Sequence, residues 1–227
     1  MPKLYPDRFP EAAASAPRRS AERTVYQALS DHLGDDYTVL YGVAWLTKQG
    51  ERRAREGEAD FVLAHPEKGL LVLEVKGGRI SRDGRTGRWS SLDRAGEAHK
   101  IGDPAKQASD NMHSLKNKIH ECAHETEAAP FVGYAVAFPN CDSVHGDLGP
   151  DLPRAVIVYD ADLQDITAST DRILEYWTGR GRGNTGSGKR WIEIIVDVLA
   201  PTFELRTKLG TALRAEDERV IKLTEDQ

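Results

Sequence analysis

Cysteine is scarce in this chain, which has only Cys122 and Cys141 among 227 residues. Two distant cysteines provide neither a disulfide framework nor the paired thiolates of a CxxC metal or redox site. The sequence also lacks an apolar N-terminal segment of the signal-peptide type and any run of about 18 apolar residues. We therefore expect a protein of the reducing cytoplasm that is neither secreted nor inserted in a membrane.

Positive charge is also in short supply, because 31 Lys and Arg stand against 36 Asp and Glu, for a net charge of −5. This balance excludes a protein that binds nucleic acid through its overall charge, so such binding must come from local basic segments. Two segments, 76–100 and 179–190, are rich in Lys and Arg. The alternative for each is a solvated loop. The residues expected to contact nucleic acid are Arg79, Arg82, Arg85, Arg88, Arg180, Arg182, Lys189 and Arg190.

The composition that remains is typical of a globular protein, with 39% hydrophobic and 30% charged residues. A chain of this length can bury the core of one large domain, or of a medium domain with an appendage. We expect an α/β fold with a mixed central sheet of about five strands and helices on both faces. The expected divisions are an extended lead-in at 1–18, a folded domain at 19–178, a mobile Gly- and Arg-rich loop at 179–190 and a helical segment at 191–227.

Local patterns predict the individual elements. A helix is expected to start with Ser20 as its N-cap and to end near Gly34, and another starts at Asp103-Pro104. Trp89 is expected to cover the edge of the core, and the alternative is a ring that stacks on a base. The other predicted elements are a strand at 37–46, a polar connector at 48–57, a small hairpin at 79–91, strands at 131–138 and 154–159, helices at 160–168 and from Ser169 or Thr170 to Trp177, and a helix from Trp191.

Charged residues end two neighbouring strands, which are predicted at 59–64 and 70–76 with a Pro- and Gly-containing turn between them. Four consecutive apolar residues indicate that the second strand is covered on both faces, where an unpaired charge is costly. Yet Glu74 and Lys76 end this strand, and at a spacing of two they point to the same side of the sheet. Glu58 and Asp60 share a side of the first strand in the same way. If the strands pair, these charged groups meet at one end of an apolar sheet.

The grouped charges suit a divalent metal ion. Carboxylates offer the hard oxygen ligands that Mg²⁺ or Mn²⁺ prefers, and a lysine beside them can orient or activate a water molecule. The alternative is a structural ion pair between Glu74 and Lys76.

The order Asp60, then Glu74-Val75-Lys76, resembles the signature of the PD-(D/E)xK nuclease superfamily. The longer string at 57–78, GEADFVLAHPEKGLLVLEVKGG, is similar to the nuclease-related domain (NERD) branch of that superfamily. Ala59 stands where the superfamily signature has proline, a departure that removes no reactive group. The resemblance implies a restriction-endonuclease-like fold and metal-dependent hydrolysis of nucleic-acid phosphodiester bonds.

The resemblance also implies roles for individual residues. Asp60, Glu74 and the carbonyl of Val75 would hold Mg²⁺ or Mn²⁺, and Lys76 would position the attacking water. The family often adds a glutamate from the first helix, here Glu22, and a glutamine from the start of the long helix, here Gln107. Their alternatives are a carboxylate that stabilises a helix N-terminus and an amide that caps a neighbour.

Residues 223–227, LTEDQ, resemble the Leu-Thr-x-x-Gln opening of superfamily 1 helicases. Because NERD domains are commonly fused ahead of such helicases, the resemblance implies the N-terminal part of a NERD-helicase fusion. The expected partner of the protein is nucleic acid, DNA rather than RNA. The expected process is DNA processing, repair or defence. The rival hypothesis is a non-cleaving module that binds or recruits nucleic acid for a helicase.

Overall fold

A six-stranded mixed β-sheet flanked by helices forms the centre of the fold. A computed structural model describes residues 1–14, 19–49, 53–93, 95–122, 129–146, 148–179 and 188–202. The strands are β1 (Lys3–Tyr5), β2 (Thr38–Gln49), β3 (Arg53–His65), β4 (Gly69–Val75), β5 (Arg79–Asp83), β6 (Arg88–Leu92), β7 (Ala98–Ile101), β8 (Val132–Phe138) and β9 (Ile157–Tyr159). The α-helices are α1 (Glu11–Ala14), α2 (Ser20–His32), α3 (Pro104–Cys122), α4 (Ile166–Thr178) and α5 (Gly188–Leu199).

The strand order of the large sheet is β1-β2-β3-β4-β8-β9. The β2, β3 and β4 strands are antiparallel, whereas β4, β8 and β9 run parallel, and β1 runs parallel to β2. Strands β5, β6 and β7 form a separate antiparallel sheet, which we call the wing. This mixed α/β architecture is consistent with the restriction-endonuclease-like fold that the sequence predicted.

The large sheet divides in two near its middle. Pairing between β3 and β4 ends at Phe61 and Leu73, although β3 continues beside β2 as far as Arg53 and β4 continues beside β8 as far as Val75. We call this point of separation, which falls at Asp60 and Glu74, the fork. It opens one end of a sheet whose strands β4 and β8 are buried throughout.

Several local predictions are confirmed. The helix α2 covers the predicted range, and Asp103 caps α3 by accepting the backbone N–H of Lys106 at 3.1 Å. Trp89 is buried against the core, as expected. The hairpin at 79–91 is present as β5 and β6, and β7 adds a third strand that the sequence did not predict.

Other predictions are wrong in their boundaries. The strands β2 and β3 extend into the predicted connector at 48–57 because they continue to pair with each other. Arg19 occupies the N-cap of α2 without a side-chain bond, and Ser20 is already helical. The strand predicted at 154–159 is reduced to β9, because Arg154–Val156 forms a 3₁₀ turn. The helix predicted at 160–168 is the 3₁₀ turn Ala161–Asp165, followed directly by α4 with Asp165 as its cap.

The last helix begins earlier than expected. Gly188, Lys189 and Arg190 belong to α5, and the Gly188 N–H donates to the carbonyl of Pro66 at 2.7 Å. Arg180, Arg182 and the helicase-like residues 223–227 lie outside the described residues. None of the helices in the described part of the chain has both the length and the apolar character needed to cross a bilayer.

Candidate active site

Two carboxylates face each other across the fork. Asp60 lies one residue before the last β3–β4 pair, and Glu74 lies one residue after it. Asp60 Oδ2 accepts the backbone N–H of Val75 at 2.7 Å. The Asp60 side chain therefore joins β3 to β4 at the place where their backbone pairing has stopped.

Glu74 and Lys76 form an ion pair on the β4 side of the fork. Glu74 is only 6% exposed, and its Oε1 accepts a hydrogen bond from Lys76 Nζ at 2.5 Å. A carboxylate buried to this degree needs such a partner, because an unpaired buried charge is strongly destabilising. The backbone N–H of Lys76 donates to the Ala137 carbonyl at 2.9 Å, which holds the end of this strand against β8.

Glu22 reaches the same region from the first turn of α2. Its Oε2 accepts the hydroxyl proton of Tyr41 at 2.6 Å, and its charge is near enough to raise the pKa of Asp60. Gly77 permits this close approach of α2, because a Cβ at Gly77 would lie 2.8 Å from the Cβ of Ala21. The helix therefore adds a third carboxylate to the fork.

The electrostatics of this group are unfavourable without a cation. Burial, followed by the charges of Glu74 and Glu22, raises the pKa of Asp60 to about 7, although the Val75 N–H and Lys76 act in the opposite direction. Carboxylates that share a poorly solvated space repel one another, and a bound cation removes that repulsion. Because the donors are hard oxygens, these residues fit Mg²⁺ or Mn²⁺.

Gln107 is placed differently from the other predicted site residues. It lies in the first turn of α3 with an exposed side chain, and a Cβ at Gly102 would lie 3.2 Å from its amide group. Within the described residues its side chain makes no hydrogen bond to Asp60 or Glu74. The structure therefore brings Glu22, Asp60, Glu74 and Lys76 together and leaves Gln107 outside this group.

The predicted nucleic-acid contacts also separate into groups. Arg79 and Arg88 are exposed on the wing, and Arg85 lies in the turn between β5 and β6. Arg82 instead pairs with Asp151 at 3.8 Å. Lys189 and Arg190 are exposed at the start of α5.

The residues that hold the site in place could not be identified from the sequence. Tyr41 bonds Glu22, and the Arg19 guanidinium donates to the Tyr41 hydroxyl at 3.4 Å. Asn140 Oδ1 accepts the N–H of Gly78 at 2.9 Å, and Ser91 Oγ donates to the Gly77 carbonyl at 2.7 Å. The Gly-Gly pair after Lys76 was the only signal of this close packing, and it did not identify the partners.

A second group of candidate metal ligands lies at the turn between β6 and β7 and at the start of β7. Asp93, Glu97 and His99 have ligand atoms within 4.8 Å of one another, and all three residues are exposed. Asp93 already accepts the backbone N–H groups of Ala95 and Glu97 at 2.9 Å each, and its other oxygen lies 2.9 Å from His99 Nε2. These bonds account for the geometry of the turn without an ion.

The mixed sheet and its fork are consistent with the restriction-endonuclease-like fold class. A family model for the nuclease-related domain matches residues 17–139, which is more than half of the chain. The chain therefore belongs to the nuclease-related domain family. The matched range contains every residue at the fork and the whole wing. Comparisons with curated proteins and with solved structures gave no match.

Proposed function

We propose that this protein is a metal-dependent nuclease that hydrolyses phosphodiester bonds in DNA. The observation that supports the proposal most directly is the fork, where Asp60, Glu74 and Lys76 converge at an otherwise apolar sheet. Glu74 is buried at this strand end, and Asp60 and Lys76 beside it are partly buried. The cost of this arrangement is hard to explain by stability alone, because well-packed apolar residues usually stabilise such a position at least as well. Perturbed pKa values of this kind cluster at functional sites.

The proposed ligands of one Mg²⁺ or Mn²⁺ ion are the carboxylates of Asp60 and Glu74 and the carbonyl of Val75. When bound, such an ion supplies Lewis-acid activation of water and stabilises the charge that develops on the phosphate. An ammonium group has three N–H donors, so Lys76 can retain its bond to Glu74 and still orient the attacking water. Glu22 adds negative charge from α2. Gln107, in the first turn of α3, would donate a hydrogen bond to a phosphate of the substrate.

A melting experiment tests the metal site without requiring the correct substrate. A ligand that binds only the folded state at about a hundred times its Kd stabilises it by roughly 2.7 kcal/mol. Millimolar Mn²⁺ is therefore expected to raise the melting temperature by several degrees. Asp60→Asn should be at least as stable as wild type in EDTA and should lose most of this rise. An identical response of the two proteins to Mn²⁺ would remove the metal site from the proposal.

A non-cleaving module that holds nucleic acid for a helicase is the second candidate. The ion pair between Lys76 and Glu74 favours it, because a lysine retained by a carboxylate can be purely structural. Cleavage assays with labelled single-stranded, duplex and branched DNA, with and without Mn²⁺, distinguish the two candidates. Cleavage that requires Mn²⁺ supports the nuclease, and DNA binding without cleavage under every condition supports the module.

We also propose that the protein acts as the N-terminal domain of a superfamily 1 helicase, in the cytoplasm. The support for fusion to a helicase is the LTEDQ string at 223–227, which resembles the opening of superfamily 1 helicases. If the reading frame continues into helicase motifs, the proposal stands. A stop codon directly after residue 227 contradicts it.

A further inference from the structure

The wing has two different sides, which follow from the register of its strands. Side chains alternate along a strand, and residues paired across strands share a side. Arg82, Trp89 and Ile101 are paired and therefore lie on one side, which we call the inner side. The pairs of Ser81 with Ser90 and of Ser90 with Lys100 define the other side, which we call the outer side.

The inner side attaches the wing to the large sheet. Trp89 is 6% exposed and belongs to the hydrophobic core, and the Arg82 guanidinium lies 5.5 Å from the centre of its ring. Arg82 also pairs with Asp151. Ser91 Oγ bonds the carbonyl of Gly77, the residue that follows Lys76. The wing therefore starts directly beside the proposed active site and is held there.

The outer side is exposed and carries three cations. Lys100 lies beside Ser90 in the register, Arg88 is two residues before Ser90, and Arg79 is two residues before Ser81. The hydroxyl groups of Ser81 and Ser90 are 2.9 Å apart. The outer side thus presents guanidinium, ammonium and hydroxyl groups, which are the groups that contact DNA phosphates.

Along the described strands, the outer side has one carboxylate, Asp83 opposite Arg88 in the register, against three cations. Asp83 is the acidic residue of the outer side, and its Oδ1 accepts the backbone N–H groups of Arg85 at 2.8 Å and Thr86 at 3.2 Å. Along the three described strands of the wing, no aromatic side chain lies on the outer side. Surfaces that bind single strands usually stack bases on exposed aromatic rings. A surface of cations and hydroxyl groups is suited instead to the phosphates of a duplex, whose bases are stacked on one another.

We propose that the outer side of the wing binds the phosphate backbone of duplex DNA next to the bond that the fork cleaves. This inference rests on the proposed nuclease function and names its substrate as a duplex. Arg79, Arg88 and Lys100 make the contacts, whereas Arg82 fixes the wing from its inner side. Contacts to phosphates position a duplex without reading its sequence, so the binding is independent of sequence.

The test compares two triple variants of the full chain that carry the same change in charge. The wing variant is Arg79→Gln, Arg88→Gln and Lys100→Gln. The control variant is Lys3→Gln, Lys116→Gln and Lys118→Gln, which removes cations from β1 and from the second half of α3. Fluorescence anisotropy in EDTA measures the affinity for a labelled duplex and for one of its strands over a range of KCl concentrations.

The expected result is a change in salt dependence. The slope of log K against log salt concentration is negative, and each lost phosphate contact makes it shallower by about 0.9. The slope of the wing variant for duplex should therefore be shallower than that of wild type by about 2.7. The control variant should keep the wild-type slope, and Arg79→Lys with Arg88→Lys should keep it too because the charges remain. Equal slopes for the wing and control variants would overturn the proposal, as would tighter binding of wild type to the single strand than to the duplex.

The melting response to Mn²⁺ separates this inference from the proposed function. All three wing substitutions are at exposed positions, so the variant should keep the melting temperature and Mn²⁺ response of wild type. If wild type shows no response to Mn²⁺ but the wing variant loses duplex affinity, the nuclease proposal fails and the wing surface stands. If Mn²⁺ acts normally and duplex affinity is unchanged, the wing proposal alone fails.

Discussion

At the scale of single residues, Asp60 makes stability depend on pH in an unusual direction. Its pKa is about 7 in the fold against an ordinary value of 3.8, so between these values the folded state binds more protons than the unfolded state. The contribution of Asp60 to the free energy of unfolding therefore falls as pH rises from about 4 to about 7, by at most roughly 4 kcal/mol. Urea unfolding in EDTA at several pH values measures this loss. The difference in stability between Asp60→Asn and wild type should grow in favour of the variant as pH rises over this interval, and a difference that stays constant would contradict the pKa shift.

Glu74 and Lys76 are expected to respond differently to substitution, because one supplies an oxygen ligand and the other supplies a cation. Glu74→Ala should abolish Mn²⁺-dependent cleavage and Mn²⁺ binding together, and Asp60→Ala should do the same. Lys76→Ala should bind Mn²⁺ but lose turnover. Titration calorimetry and a cleavage assay give the two quantities. Persistent cleavage by purified Glu74→Ala would contradict the assigned roles.

Tyr41 offers a test of Glu22 that leaves the carboxylate in place. Tyr41→Phe removes the hydroxyl that bonds Glu22 but keeps the ring, which packs against Phe9, Tyr26 and Phe61. Tyr26→Phe is the matched control, since its hydroxyl donates to the Pro6 carbonyl at 2.8 Å. Each variant should lose about 1 kcal/mol of stability. Only Tyr41→Phe should also weaken Mn²⁺ binding, and an equal Mn²⁺ affinity in both would place Glu22 outside the site.

At the scale of elements, the packing of α2 against the end of β4 controls the site. Gly77→Ala would bring a Cβ to 2.8 Å from Ala21, so the helix has to move outward with Glu22. Overpacking of this kind should lower the free energy of unfolding by about 1–3 kcal/mol. Because Glu22 moves away from the fork, the Mn²⁺-induced rise in melting temperature should also be smaller than in wild type. Gly84→Ala is the control, because a Cβ at Gly84 has no atom within 4 Å. Similar melting curves for the two variants would show that α2 does not depend on this contact.

The elements also show which parts of the structure could be predicted from sequence. The buried strand β4 and the placement of Glu74 and Lys76 on one side follow from apolar run length and strand periodicity, which are local properties. Strand β7 could not be predicted, because its sequence AHKI has no apolar pattern and, among the described strands, it pairs with β6 alone. Strand alternation alone separates Arg82 from Arg79, but the separation of Arg82 from Arg88 needs the register, and the bond from Tyr41 to Glu22 needs the tertiary fold.

At the scale of the whole molecule, a net charge of −5 coexists with the basic outer side of the wing. Long-range repulsion of DNA by the rest of the surface is screened beyond about 10 Å at 0.1 M salt, so close cations dominate binding under those conditions. The proposed second basic segment, with Arg180, Arg182, Lys189 and Arg190, should therefore matter mainly at low salt. Arg180→Gln with Arg182→Gln should weaken duplex binding at low ionic strength and leave it almost unchanged at physiological salt. Equal affinities of this variant and wild type at every salt concentration would show that the segment does not contact DNA.

Trp89 gives the protein an intrinsic optical probe. Its indole is buried beneath the strands that carry Arg79, Arg88 and Lys100, and its Nε1–H has no hydrogen-bond partner among the described residues. An indole in such surroundings emits at short wavelength, and its emission responds to nearby charge, here the Arg82 guanidinium over its ring. A polyanion on the opposite side of this thin sheet changes the electric field at the ring. Occupancy of the wing can therefore be followed by ultraviolet fluorescence of the unlabelled protein, in real time, once Trp45, Trp177 and Trp191 are replaced by phenylalanine.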